Sequence, residues 1–100
     1  VKIYISGKIT GDRRYKTKFK EAERKLAATG HIVINPAVLP LGLSEADYMR
    51  IDFAMMEAAD VVLFLPDYQD SKGAMLEWSW CQRVGKQTAY CLDWLGGGQR

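Results

Sequence analysis

The chain has 100 residues, 48% of them apolar, with 14 Lys and Arg against 12 Asp and Glu for a net charge of +2. That length holds one hydrophobic core and excludes two independent domains, and so small a charge gives no footprint for a polymeric nucleic acid. No apolar run approaches the roughly 18 residues of a membrane helix. The first residues enter a strand pattern without the features of a secretory leader, so a cytoplasmic address is expected.

The first strand signal is Lys2 to Ser6, where Tyr4 is offset from Ile3 and Ile5 and faces the other side of the sheet. Ser6-Gly7-Lys8-Ile9-Thr10-Gly11 follows, a small-residue turn that leaves room for a ligand near the backbone and reads equally as an ordinary tight turn. It is not a phosphate loop of the Walker type, because the upstream glycine is missing and Lys8 is not followed by Ser or Thr; the GxGxxG fingerprint is also absent. Arg13 and Arg14 come next, in a position to meet an anion. Phe19, Ala22, Glu23, Leu26 and Ala27 follow helical spacing, which predicts a helix from Tyr15 to Thr29 ended by Gly30. Its cations Lys16, Lys18, Lys20, Arg24 and Lys25, interspersed with Glu21 and Glu23, read as a solvated surface.

A second strand is expected from His31 to Asn35; His31 is the only histidine, and without nearby Cys or His partners it makes no metal site. Pro36 to Gly42 reads as a surface loop near the edge of a site. Ser44 caps a second helix with an acidic first turn, ending near Ala59, with Met49, Phe53 and Met56 turned inward. Asp52 shares a face with Tyr48 and reads either as an exposed charge or as a site carboxylate. Val61 to Leu65 is a buried strand closed by Pro66, Lys72 to Val84 a third helix stopped by Gly85, and Thr88 to Leu92 a fourth strand. Cys81 and Cys91 read as reduced, buried thiols. The domain is expected over residues 1 to 95, with Gly96 to Arg100 a flexible tail.

Alternating β and α elements of these lengths predict an α/β three-layer sandwich with a mainly parallel sheet of four to five strands. The carboxyl edge of such a sheet is where ligands bind. Three features converge there: Tyr4 with the Gly7 to Gly11 turn, Asp52, and the strand-to-helix corner Ser71-Lys72-Gly73-Ala74-Met75-Leu76-Glu77. Glu77 lies one turn inside its helix between the apolar Ala74 and Trp78, bordering a partly desolvated pocket, although a solvated helix glutamate is the plainer alternative. Burial raises a carboxylate pKa and a donated Tyr hydroxyl lowers it. A carboxylate so held suits attack on a sugar carbon, with a second carboxylate as the acid.

The run Ile3-Tyr4-Ile5-Ser6-Gly7 with Ile9-Thr10-Gly11, the Asn35-Pro36 pair, Asp52, Ala59-Asp60-Val61-Val62, Leu65-Pro66 and Ser71-x-Gly73-Ala74-x-x-Glu77 resembles the nucleoside 2-deoxyribosyltransferase-like superfamily over about residues 2 to 92. The closest style is that of its short, mostly uncharacterised bacterial and phage members, with 2′-deoxynucleoside 5′-phosphate N-hydrolases more distant kin. The resemblance implies a flavodoxin-like, Rossmann-like fold, no cofactor, a nucleoside or nucleotide ligand, and a homo-oligomer whose neighbour completes the pocket. It further implies Glu77 as the nucleophile forming a glycosyl-enzyme ester, Asp52 as the acid for the leaving base, and Tyr4 as the group positioning Glu77. Ser71 and Gly73 would receive a 5′-hydroxyl or 5′-phosphate, and Ser6, Gly7, Ile9 and Gly11 would line the sugar and base.

Two departures stand out: Lys8 stands where many short members have proline, and the sequence stops soon after the fourth strand, where transferases of the superfamily carry a longer region, so nucleotide binding or hydrolysis is expected ahead of transfer between bases. Three functions therefore compete. The chain is an N-glycosidase or deoxyribosyltransferase, a non-catalytic nucleotide-binding module, or a partner protein using Trp78, Trp80 and Trp94 at an interface.

Overall fold

The computed structural model describes residues 1–90. Its elements are β1 (Lys2–Ser6), α1 (Tyr15–Ala28), β2 (Ile32–Ile34), α2 (Glu45–Ala58), β3 (Val61–Phe64), α3 (Lys72–Val84) and β4 (Thr88–Tyr90), with short 3-10 turns at Pro36–Val38 and Tyr68–Asp70. The sheet is parallel throughout, in the order β2-β1-β3-β4. This is the doubly wound arrangement expected from the alternating pattern. Residues 91 and 92 of the expected fourth strand, together with Cys91, Trp94 and the glycine-rich end, lie outside the described residues.

The two-residue period of the central strands divides the core into two layers. Ile3, Ile5, Val61, Leu63 and Leu65 face α1, where Phe19, Ala22 and Leu26 supply its buried stripe. Phe19 and Leu26 are at most 2% exposed, so each contributes about 2 kcal/mol of apolar burial. Tyr4, Val62 and Phe64 face the opposite layer, with Met56 of α2 and Cys81 of α3. Phe53 meets Trp80 at a ring separation of 5.7 Å and closes the α2–α3 contact.

Helix ends follow their capping residues. Ser44 Oγ accepts from the Asp47 N–H and Ser71 Oγ from the Ala74 N–H, while Gly85 closes α3 in the left-handed region at φ 73°. Lys86 Nζ donates to the Ala59 carbonyl at 2.5 Å, a cation at the carboxyl end of α2.

Two expectations are corrected. The stretch after β2 is not wholly a surface loop: Asn35, Pro36 and Ala37 are buried, because Asn35 Oδ1 accepts from the Ala37 N–H and its Nδ2 donates to Glu23 Oε1 at 2.9 Å. Lys18 is not part of a solvated cationic surface, because its ammonium is drawn into an ion network between two loops.

Candidate active site

The strand order reverses its direction of growth between β1 and β3, and in sheets of this kind the crevice at that switch point takes the ligand. The loops leaving β1 and β3 border it. On the α2–α3 side of β1, the alternation that sends Ile3 and Ile5 into one core sends Tyr4 and Ser6 toward Glu77 of α3. Tyr4 Oη donates to Glu77 Oε2 at 3.0 Å, and Ser6 Oγ donates to Glu77 Oε1 at 2.7 Å. Both oxygens of one carboxylate are thus held by hydroxyls of one strand. Glu77 is 6% exposed, which rules out the solvated helix glutamate.

Asp52 approaches the same carboxylate from α2. Its Oδ1 is buried with no hydroxyl or amide donor, whereas both Glu77 oxygens have hydroxyl donors; a proton shared between the two carboxyls raises Glu77 and lowers Asp52. Burial pushes Glu77 up to about 8; the charge of Asp52 acts in the same direction, and the Ser6 and Tyr4 hydroxyls oppose it. Burial also raises Asp52, to about 6. The Tyr4 phenol is held well above its ordinary range by burial and by the Glu77 charge, so it remains a donor. Two carboxyls raised together hold a proton between them near neutrality, and their titration belongs to the pair. Cys81, one helical turn beyond Glu77, is buried and pushed up to about 11, an inert thiol.

The other sequence candidates lie farther out. Ser71 and Gly73 sit at the mouth of α3, and six residues of helix put Ser71 roughly 9 Å of rise above Glu77. Gly73 leaves open space, since a Cβ there would meet only Ser71 Oγ at 3.9 Å. Gly7 is tightly packed: a Cβ would lie 2.8 Å from Leu65 Cδ1, so its lack of a side chain is explained by the approach of β3 to the turn. Gly11 takes φ 84°, and Ile9 packs against the α1-side core with Tyr15. Arg13 and Arg14 are exposed. Shallow concavities of about 350 Å³ over α1 and about 400 Å³ beside Lys72, Met75 and Leu76 are lined by none of Tyr4, Ser6, Asp52 or Glu77.

Sequence reasoning placed Ser6 only as a lining residue of the turn. Its partnership with Glu77 was available from the same alternation that turned Tyr4 across the sheet. The ion pairs of Lys18 with Asp12 and Asp67 had no local signal, because Asp67 comes from the far side of β3 in the sequence.

A family model described as a domain of unknown function, DUF4406, matches residues 1–90. The chain belongs to this family. No curated protein matches this DUF4406 chain by sequence. Two solved structures share its fold. One is a 2-deoxyribosyltransferase from the psychrotolerant bacterium Bacillus psychrosaccharolyticus, with 22% identity and a TM-score of 0.72 over 90% of this chain and 71% of that one. The other is a 2-deoxyribosyltransferase from Leishmania mexicana, with 13% identity and a TM-score of 0.71 over 89% of this chain and 62% of that one. The DUF4406 chain therefore has the nucleoside 2-deoxyribosyltransferase-like fold that its motifs resemble.

Proposed function

We propose that this protein cleaves the bond between base and sugar in a nucleoside or nucleoside 5′-monophosphate, as an N-glycosidase or 2-deoxyribosyltransferase. The observation that carries this reading is the Glu77 carboxylate, held on both oxygens by Tyr4 and Ser6 with Asp52 beside it. Glu77 attacks the anomeric carbon and forms a glycosyl ester as the carbon–nitrogen bond breaks; Asp52 gives its proton to the departing base. Water, or a second base, then gives a proton to the Asp52 carboxylate as its oxygen or nitrogen bonds to the anomeric carbon and the ester bond to Glu77 breaks, which restores both carboxyls.

The productive arrangement has the charge on Glu77 and the proton on Asp52. In the free pair the proton sits on Glu77, raised to about 8 against about 6 for Asp52, and the Ser6 and Tyr4 hydroxyls, which lower Glu77, reduce the cost of moving it to Asp52 when substrate binds. Tyr4 and Ser6 also fix the attacking oxygens in place, which reduces the reorganisation needed at the transition state. Ser71 and Gly73 receive the 5′ group of the sugar, while Gly7, Ile9 and Gly11 border the sugar and base. A second copy of the chain contributes to the pocket.

A binding-only reading is favoured by one observation: Glu77 is nearly closed from solvent and raised to about 8, so much of the free protein carries it protonated at neutral pH. Incubation with a panel of nucleosides and 5′-monophosphates, followed by chromatography for free base with Glu77→Ala in parallel, separates the two. Base released by the wild type alone supports the enzyme. Ligand-dependent thermal stabilisation without product supports the binding module.

A further inference from the structure

The loops bordering the switch-point crevice are joined by a single side chain from outside both. Lys18, closing the first turn of α1, donates to the Lys8 carbonyl at 2.8 Å, to Asp12 Oδ2 at 2.5 Å and to Asp67 Oδ2. These three acceptors use all three N–H groups of the ammonium. Asp67 Oδ1 accepts in turn from the Lys8 N–H at 3.1 Å, and Asp12 Oδ1 from the Arg14 N–H at 2.9 Å. Lys8 and Asp12 belong to the loop after β1, and Asp67 to the loop after β3. The side chains of Lys18, Asp12 and Asp67 are each about a quarter exposed, so water screens the network only in part.

We propose that Lys18 is a positioning residue that ties the loop after β1 to the loop after β3 and holds the crevice at the width its ligand requires. The ammonium makes no claim on a ligand phosphate, because its donors are already engaged. The loops carry Gly7, Ile9 and Gly11 on one side and lead into Ser71 on the other, so their separation sets how the sugar is gripped between them. Glu77, Tyr4 and Ser6 sit on β1 and α3, outside the network, and their mutual hydrogen bonds do not depend on it. The consequence is a division of labour: the network governs binding, and the buried carboxylates govern the chemical step.

The test compares wild type with Lys18→Met, which keeps an unbranched side chain of similar length but removes the ammonium, including its place 5.7 Å from the Phe19 ring centre, and with Lys18→Arg, which keeps the charge and can bridge the same carboxylates. Amide exchange in residues 7–14 and 65–71 is expected to accelerate together in Lys18→Met, with α2 unchanged, and to return toward wild type in Lys18→Arg. Unchanged exchange in either loop overturns the proposal whether or not the protein is an enzyme. The effect on ligand rests on the proposed function and is read as kinetics: KM for base release rises about tenfold in Lys18→Met while kcat stays within about twofold. Faster exchange with an unchanged KM, or a fall in kcat alone, overturns the positioning role. Absence of base release from the wild type counts against the glycosidase reading instead, and the positioning role is then read from the exchange data and from nucleotide-dependent thermal stabilisation, whose loss in Lys18→Met is the expected result and whose retention overturns it.

Discussion

Replacing Glu77 by Gln should make the protein inactive and, above about pH 5, more stable. The amide is nearly isosteric with a protonated carboxyl, and the Ser6 and Tyr4 hydroxyls can rotate to donate to its oxygen and accept from its nitrogen. Wild-type Glu77 has its pKa raised by burial from the ordinary 4.5 to about 8. Below 4.5 the side chain is protonated in both folded and unfolded chains and contributes no pH dependence. Between 4.5 and about 8 the folded protein binds a proton that the unfolded chain releases, so stability falls as pH rises, and above about 8 the loss is complete. At about 1.4 kcal/mol per pH unit, the deficit at pH 7 is about 3 kcal/mol. For a chain of this size that corresponds to a melting-temperature gap of more than about 10 °C. Thermal or urea unfolding of both proteins between pH 5 and 9 measures it. Near-equal stabilities at pH 5 that diverge with rising pH, Glu77→Gln the more stable, are the expected result. A difference that is the same at pH 5 and pH 8.5, or a wild type that gains stability across that interval, would refute the assignment of Glu77 as a carboxyl held protonated by burial.

Three further substitutions probe the same region. Asp52→Asn removes the like charge facing Glu77, so the stability of the variant should decline less steeply between pH 5 and 8, and base release should drop by about 10²- to 10⁴-fold through loss of the proton donor. Tyr4→Phe deletes one of the two donors to Glu77; the acidic limb of the kcat/KM profile should move to higher pH, which a pH series on any cleaved nucleoside would detect. Gly7→Ala puts a methyl 2.8 Å from Leu65 Cδ1 and 3.0 Å from Leu65 Cβ, and should destabilise by about 1–3 kcal/mol in urea unfolding.

What the sequence disclosed depended on whether the determining contacts were local. The span of α3 was legible because Ser71 and Gly85 punctuate it, and each does so physically, one by capping Ala74 and the other by adopting positive φ. The strand period was legible in Ile3, Tyr4 and Ile5, which the structure divides between the two cores. Asn35-Pro36 was misleading: proline reads as loop punctuation, yet here it begins a 3-10 turn whose Asn35 cap is itself bonded to α1. Lys18 was misleading for another reason. Helical spacing describes its neighbours on α1, while its partner Asp67 is 49 residues away and reaches it only through the strand order, which no local pattern encodes.

The polar group in the α2–α3 layer is also hard to account for by packing. Val62, Phe64 and Met56 show that this layer is apolar, and a Met at position 77 beside a Phe at 4 and an Ala at 6 would bury no polar atoms at all. Each of the three present groups is costly alone: a buried hydroxyl without an acceptor, or a buried carboxylate without donors, costs about 1–3 kcal/mol or more. Together they satisfy one another, so loss of any one leaves the remainder exposed to that penalty. The arrangement nonetheless leaves Glu77 raised to about 8 and Asp52 Oδ1 without a donor, a residual cost that mutual hydrogen bonding does not remove. A role confined to stability would be met better by the apolar trio. The doubly held carboxyl of Glu77 and the Asp52 carboxyl beside it are instead the two groups that the proposed chemistry needs, one facing the sugar carbon and one the leaving base.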